Sequence, residues 1–214
     1  MAEGYRTIFR TKLRSLITGA IMLFIALAYE SFASSYSIRV AGPFVGDIIL
    51  DNIPTFHLNF LIIEGALFAI IAIIALFLAK PRYFPFALKT VAIFIAVRAF
   101  MISATHIGIY PNQLVSDGGP LDIIAFRWLD LGAGYFFSAH TGLPLLIALI
   151  FWDERFWRYV FIALSLIFGV AVLMAHVHYS IDVFAAPFMT YSIFKLSQYL
   201  FKEDYALVEP VTKI

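Results

Sequence analysis

Long apolar runs, broken by short polar or proline-containing connections, dominate the hydropathy pattern of this chain. A run from about Leu16 to Tyr36 follows a polar start carrying Arg6, Arg10, Lys12 and Arg14. Four more follow, at about His57 to Ala79, Phe86 to Ile109, Tyr135 to Trp152 and Tyr159 to Val177. A sixth, about Ile181 to Phe201, contains Pro187 and reads as a helix with a kink. Each run approaches the roughly 20 residues that carry a helix across the hydrocarbon layer. The pattern therefore predicts an all-α integral membrane protein, a six-helix transmembrane bundle. It forms one domain over 1–214, with its chemistry concentrated at about 86–201. The segment Leu16 to Ala28 also has the length of a cleavable signal sequence, and the later topology is the same under either reading.

Composition agrees with the pattern. Of 214 residues, 62% are hydrophobic and 14% charged, far from the roughly half and quarter of soluble domains. The net charge of +1 gives no bulk field for nucleic acid, and the absence of cysteine excludes disulfides and thiolate nucleophiles. The placement of charge is more informative than its sum. Lys and Arg gather at the N-terminus, in Lys80 to Lys89, in Asp153 to Arg158 and near the C-terminus. The opposite connections hold only Arg39 and Arg127. The positive-inside bias then puts both termini in the cytoplasm. The compact chain points to a bacterial inner membrane, or to Golgi or plasma membrane in a eukaryote; the oligomeric state stays open.

Ionisable groups inside spanning helices are expensive, about 2.5–3.5 kcal/mol at the helix centre, and so are functional candidates. Ser138, His140 and Thr141 fall near the outer end of the fourth run, Thr105 and His106 near that of the third, and Arg98 two turns deeper. His178 closes the fifth run and Asp182 opens the sixth. A spacing of four places His178 and Asp182 on one face of a helical turn. The carboxylate can then hold the Nδ1 proton and leave Nε2 as a nucleophile, while His140 protonates a leaving oxygen. Two histidines, an aspartate and a cation, Arg98 or Arg127, suit displacement at phosphorus through a phosphohistidine. His57 and His106 read as helix-packing groups, and His176 as either packing or pocket lining. Glu30 and Glu64 are candidates both to pair with Arg98 and to meet a head group. Asp130 suits a cationic head group or solvent, and Trp128, Tyr135, Phe136 and Phe137 read as an interfacial belt. Zinc on His176, His178 and Asp182 is disfavoured because the first two cannot share a helical face, so neither metal nor cofactor is expected.

These residues resemble a known family. Ser138-Ala139-His140-Thr141 is similar to the Ser-Gly-His-Thr motif of the sphingomyelin synthases, a branch of the type 2 phosphatidic acid phosphatase superfamily. His178-Tyr179-Ser180-Ile181-Asp182-Val183 resembles their His-Tyr-Ser/Thr-x-Asp-Val motif, and Arg98 with Thr105 their Arg-x6-Thr spacing. The resemblance runs from about Phe94 to Val183. It implies His178 as nucleophile, Asp182 as its orienting group and His140 as general acid, with Arg98, Thr105, Ser138, Thr141, Tyr179 and Arg127 around the substrate. Ala139 replaces the motif glycine, Gly132-Ala133-Gly134 stands where the family has Cys-Gly-Asp, and Pro85 and Phe86 replace its paired arginines. The phosphatase branch's Ser-Arg-x5-His pattern fails because Val172 stands six residues before His178. The implied activity is transfer of a phosphocholine- or phosphoethanolamine-type head group from a phospholipid to a ceramide or diacylglycerol hydroxyl on the non-cytoplasmic leaflet. The same site with water as acceptor would be a lipid phosphatase or phospholipase C. A non-enzymatic lipid-binding or transport protein is the reading from another class, and no inverted repeat with broken helices supports it.

Overall fold

The computed structural model describes residues 12–111, 113 and 135–209. Among the described residues the chain is helical, with no strand. The helices are α1 (Leu13–Val40), α2 (Asn59–Ile62), α3 (Glu64–Ala79), α4 (Phe84–Ala104), α5 (Ala139–Ile150), α6 (Arg155–Met174), α7 (Ser180–Leu200) and the short α8 (Lys202–Tyr205). Four segments are long and apolar enough to cross a membrane: α1, α2 with α3, α4 with the turn before it, and α6. Their outward faces carry Phe24, Phe60, Phe68, Phe100 and Leu166, all exposed. Such a surface is inexpensive in a hydrocarbon solvent, and the four long apolar helices are compatible with an integral membrane protein.

Several boundaries differ from the hydropathy runs. α1 extends past its run at both ends, and its 28 residues span about 42 Å at the helical rise. The second span breaks at Ile63 (φ −91°, ψ −65°). α4 stops at Ala104, so Thr105 is its C-cap and the apolar stretch to Ile109 is not helical. The largest correction concerns the run from Tyr135 to Trp152. Only 12 of its residues are helical, about 18 Å, which is shorter than the hydrocarbon layer. Its first residues form a corner instead, with Phe137 in the left-handed region (φ 31°). Hydropathy cannot register such a corner, because Phe136 and Phe137 are as apolar as the helix they precede.

Packing follows the small residues. Ala26 and Ala33 of α1 and Ala99 of α4 are buried where α1 and α4 run together. α5 sits between α4, α6 and α7 through two glycines. A Cβ at Gly142 would come within 2.9 Å of both the Phe94 ring and the Thr190 hydroxyl, and one at Gly169 within 3.2 Å of Thr141. Close backbone approach of this kind holds helices together in lipid, where tail and side chain are equally apolar. The remaining core, with Phe86, Phe94, Phe137, Leu146, Ile147, Phe151 and Phe194, fixes α5 against α4 and α7. Two helix starts, those of α5 and α7, are thereby brought to one place.

Candidate active site

The start of α7 is built by Asp182. As the third residue of that helix, its carboxylate reaches back and accepts the Tyr179 N–H at Oδ2, 3.2 Å away. This satisfies a donor that the helix leaves open at its N-terminus. The same Oδ2 lies 3.2 Å from His178 Nδ1. The pair is therefore made, but not by two residues on one helical turn: α6 ends at Met174, His178 precedes α7, and a capping carboxylate folds back onto it. Both groups are buried. With Nδ1–H donated to the carboxylate, the lone pair resides on Nε2.

His140 is the second residue of α5. Ser138 caps that helix, accepting the Thr141 N–H at its hydroxyl oxygen (3.4 Å), while the Ser138 N–H donates to the Asp182 carbonyl at 2.9 Å. The backbone bond ties the two helix starts together. It sets the His140 and His178 rings 6.2 Å apart, centroid to centroid. His140 packs edge-on to Phe168 and lies beside the Ile62 carbonyl at the break in the second span. Its Nε2 is buried and has no hydrogen-bond partner among the described residues. That nitrogen is therefore not committed to a packing contact and is available for proton transfer. The first turn of α5 carries no acidic residue, so its N–H groups can meet an anion beside His140, whereas the start of α7 is already capped by carboxylates.

The other expected site residues divide. Arg98 is buried and ion-paired to Glu30 of α1, one of its two sequence candidates; Glu64 makes no ion pair among the described residues. Arg98 nonetheless stands close enough to His140 for the two charges to interact. Thr105 spends its hydroxyl on its own helix, donating to the Met101 carbonyl at 2.9 Å. The Thr141 hydroxyl is buried without a partner among the described residues, whereas its carbonyl accepts from Ser165. Tyr179 is turned away from the histidines, its hydroxyl donating to the Gly108 carbonyl (2.9 Å) and accepting from the Val45 N–H (3.3 Å). Arg127 lies outside the described residues, as do Trp128 and Asp130. His57 is exposed just before α2, and exposed His106 meets the Ser103 carbonyl and the Tyr36 ring. His176 adopts a left-handed conformation (φ 55°) and contacts Thr55 and Tyr110 rather than His178 or Asp182. Among the described residues no three such side chains could hold a metal ion.

One positioning residue escaped the sequence. Asp47, in the strap between α1 and α2, accepts the Ser180 N–H at 2.7 Å and the Ile49 and Leu50 N–H groups at 2.9 and 3.1 Å. Burial works to raise its pKa, but the amide donors outweigh burial and hold the carboxyl below the usual carboxylate range. Asp47 thus supplies from a distant loop the second cap on α7. Tyr110, 5.7 Å from the Tyr179 ring, anchors the strap by donating to Asp51 at 2.5 Å, a bond that pushes its phenol up to about 12. An Asp in an apolar loop before a 3-10 turn is an ordinary turn signal, and nothing in the sequence pairs it with a residue 133 positions away.

An apolar cavity of about 450 Å³ opens between α5, α6 and α7, lined by Thr141, the residue after His140, and by Leu166, Val170, Val183, Phe184 and Pro187. No family model and no curated protein matches this chain.

Proposed function

We propose that this protein is a six-pass lipid phosphotransferase that moves a phospho-alcohol head group between lipids through a phosphohistidine on His178. The observation that carries the reading is the buried His178–Asp182 pair facing an unpartnered His140 nitrogen across 6.2 Å. In the first half-reaction His178 Nε2 attacks phosphorus, the bond from phosphorus to the lipid alcohol breaks, and His140 gives that oxygen its proton. In the second, an acceptor hydroxyl surrenders its proton to His140 and attacks phosphorus, releasing His178. Anionic phosphate oxygens would meet the N–H groups at the start of α5 and the guanidinium of Arg98, which stays charged while paired to Glu30. The neighbouring apolar cavity offers room for a lipid chain within reach of Thr141. Resemblance to the sphingomyelin synthase motifs supports the same chemistry.

The purified chain, incubated with phosphatidylcholine or phosphatidylethanolamine labelled in the head group, is expected to transfer label to ceramide or diacylglycerol. Soluble phosphocholine or phosphoethanolamine appearing at the same rate without acceptor would instead assign a hydrolase using water. No release from any phospholipid would remove the enzymatic reading.

The proposal includes orientation. α7, and the short α5 together with the corner that precedes it, complete the six passes alongside the four long segments, and the histidines face the non-cytoplasmic side. Lys80, Arg82, Arg155, Arg158 and Lys202 flank the other ends of the helices. In this cysteine-free chain, a cysteine at Ile48, which is 83% exposed in the strap, should react with an impermeant maleimide in intact cells. One at the exposed Asp153 should react only after permeabilisation. The opposite labelling would invert the leaflet.

A further inference from the structure

At the far end of α7 from His178, the first residues of α1, the start of α4, the end of α7 and α8 surround a polar cavity of about 870 Å³. The 21 residues of α7 separate the two sites by about 30 Å, the thickness of a hydrocarbon core. This second cavity therefore lies at the other membrane face.

Its lining holds four cations, Lys12, Arg14, Lys89 and Lys202, against two carboxylates, Glu203 and Asp204. Asp204 is buried and acts as a clamp. It accepts the Ser15 hydroxyl at 2.5 Å and Lys89 Nζ at 2.7 Å, and Lys12 Nζ lies 3.5 Å from its other oxygen. Lys12 also donates to the Glu203 carbonyl at 3.2 Å. One carboxylate thus fixes two ammonium groups side by side and neutralises only one of them. Burial works to raise the Asp204 pKa, but the Lys89 and Ser15 hydrogen bonds and the lysine charges outweigh it and lower the pKa, so the clamp stays ionised. Arg14 and Lys202 make no ion pair among the described residues. Lys202 rests over the Tyr199 ring at 4.7 Å, and exposed Tyr199 and Leu200 form an apolar rim beside the charges.

We propose that this cavity binds the phosphate of an anionic phospholipid from the leaflet opposite the histidine site. A surplus of cations suits any phosphate oxyanion, whether free or on a lipid. The apolar rim at the interface commits the site to the lipid, whose phosphate would sit among the cations while its chains lie along Tyr199 and Leu200. Because α1, α4, α7 and α8 meet here, occupancy ties α1 and α4 to the far end of α7, the helix whose start carries Asp182.

The test uses the full-length protein in neutral detergent and native mass spectrometry, with dioleoylphosphatidylglycerol, dioleoylphosphatidylcholine and inorganic phosphate as probes. Phosphatidylglycerol is expected to bind at least about tenfold more tightly than phosphatidylcholine, about one decade in Kd. Arg14→Gln with Lys202→Gln, which leaves the Asp204 clamp intact, should erase that preference. Arg14→Lys with Lys202→Arg should retain it. Equal binding of the two lipids by wild type, or an undiminished preference in the double glutamine variant, would overturn the proposal. Displacement of phosphatidylglycerol by millimolar inorganic phosphate would overturn the lipid assignment. A wild-type preference that survives high salt would overturn its electrostatic basis, and this measurement stands even where a variant folds poorly.

Discussion

Replacing Glu30 with glutamine should destabilise the protein by about 3–5 kcal/mol, the usual penalty for stripping one partner from a buried ion pair. Glu30 and Arg98 are 9% and 7% exposed, at the seam where α1 runs along α4. The guanidinium cannot shed its charge, so Glu30→Gln removes the counter-charge of a cation held in a low dielectric. Arg98→Met should cost less, since an abandoned carboxyl can take up a proton and become neutral. The double variant Glu30→Met with Arg98→Met should recover most of the stability, a coupling that unfolding titrations of all four proteins would measure. Additive losses would show that the two side chains act independently. The cycle also divides the roles of Arg98. If its charge also serves the phosphate at His140, the double variant regains stability and still turns over slowly. If the pair is only structural, turnover returns with stability.

What the sequence made legible here was the apolar character of the long helices and the pairing of His178 with Asp182 beside His140. Apolar runs mark a helix whatever its exact ends, so α1, α2 with α3, α4, α6 and α7 were foreseen to within about five residues. The corners were not. Phe137 and His176 adopt left-handed backbones three residues before His140 and two before His178, and neither residue type signals such a turn. Yet these corners aim the histidines, since they let α5 and α7 begin at the same place. The His178–Asp182 contact was expected from i, i+4 spacing and arises instead from helix capping, two origins with the same sequence separation. Glu30 and Glu64 were equal candidates for Arg98, because choosing between them requires knowing which helix lies beside α4. Asp47 was invisible for a similar reason. Its partner is the backbone N–H of Ser180, and backbone groups carry no signature in sequence. The residues named from the family-like motifs lie together for His140, Ser138, Thr141, His178 and Asp182. Tyr179 serves the strap, and Thr105 serves its own helix end.

His178→Ala should abolish phosphoenzyme formation altogether, and this is the largest effect the site admits. The Nε2 lone pair exists because Asp182 holds Nδ1, and within the chemistry proposed here no other group accepts phosphorus. His140→Ala should slow transfer from a lipid alcohol by about 10²–10⁴-fold, the range for loss of a general acid. With a p-nitrophenyl phosphodiester the loss should be far smaller, because p-nitrophenolate departs without a proton. Asp182→Asn separates geometry from charge. One carboxylate oxygen contacts both His178 Nδ1 and the Tyr179 N–H, so an amide oxygen in the same place keeps the start of α7 intact. The imidazolium-like transition state nonetheless loses its counter-charge, and turnover should fall by about 10⁴-fold, as in hydrolytic triads that lose theirs. The deciding measurement is acid-labile label retained on the protein when phosphorus-labelled lipid is quenched within one turnover. Label on wild type and His140→Ala but none on His178→Ala is the expected pattern. Equal label on wild type and His178→Ala would end the covalent route and leave direct attack by the acceptor hydroxyl, with His178 as its base.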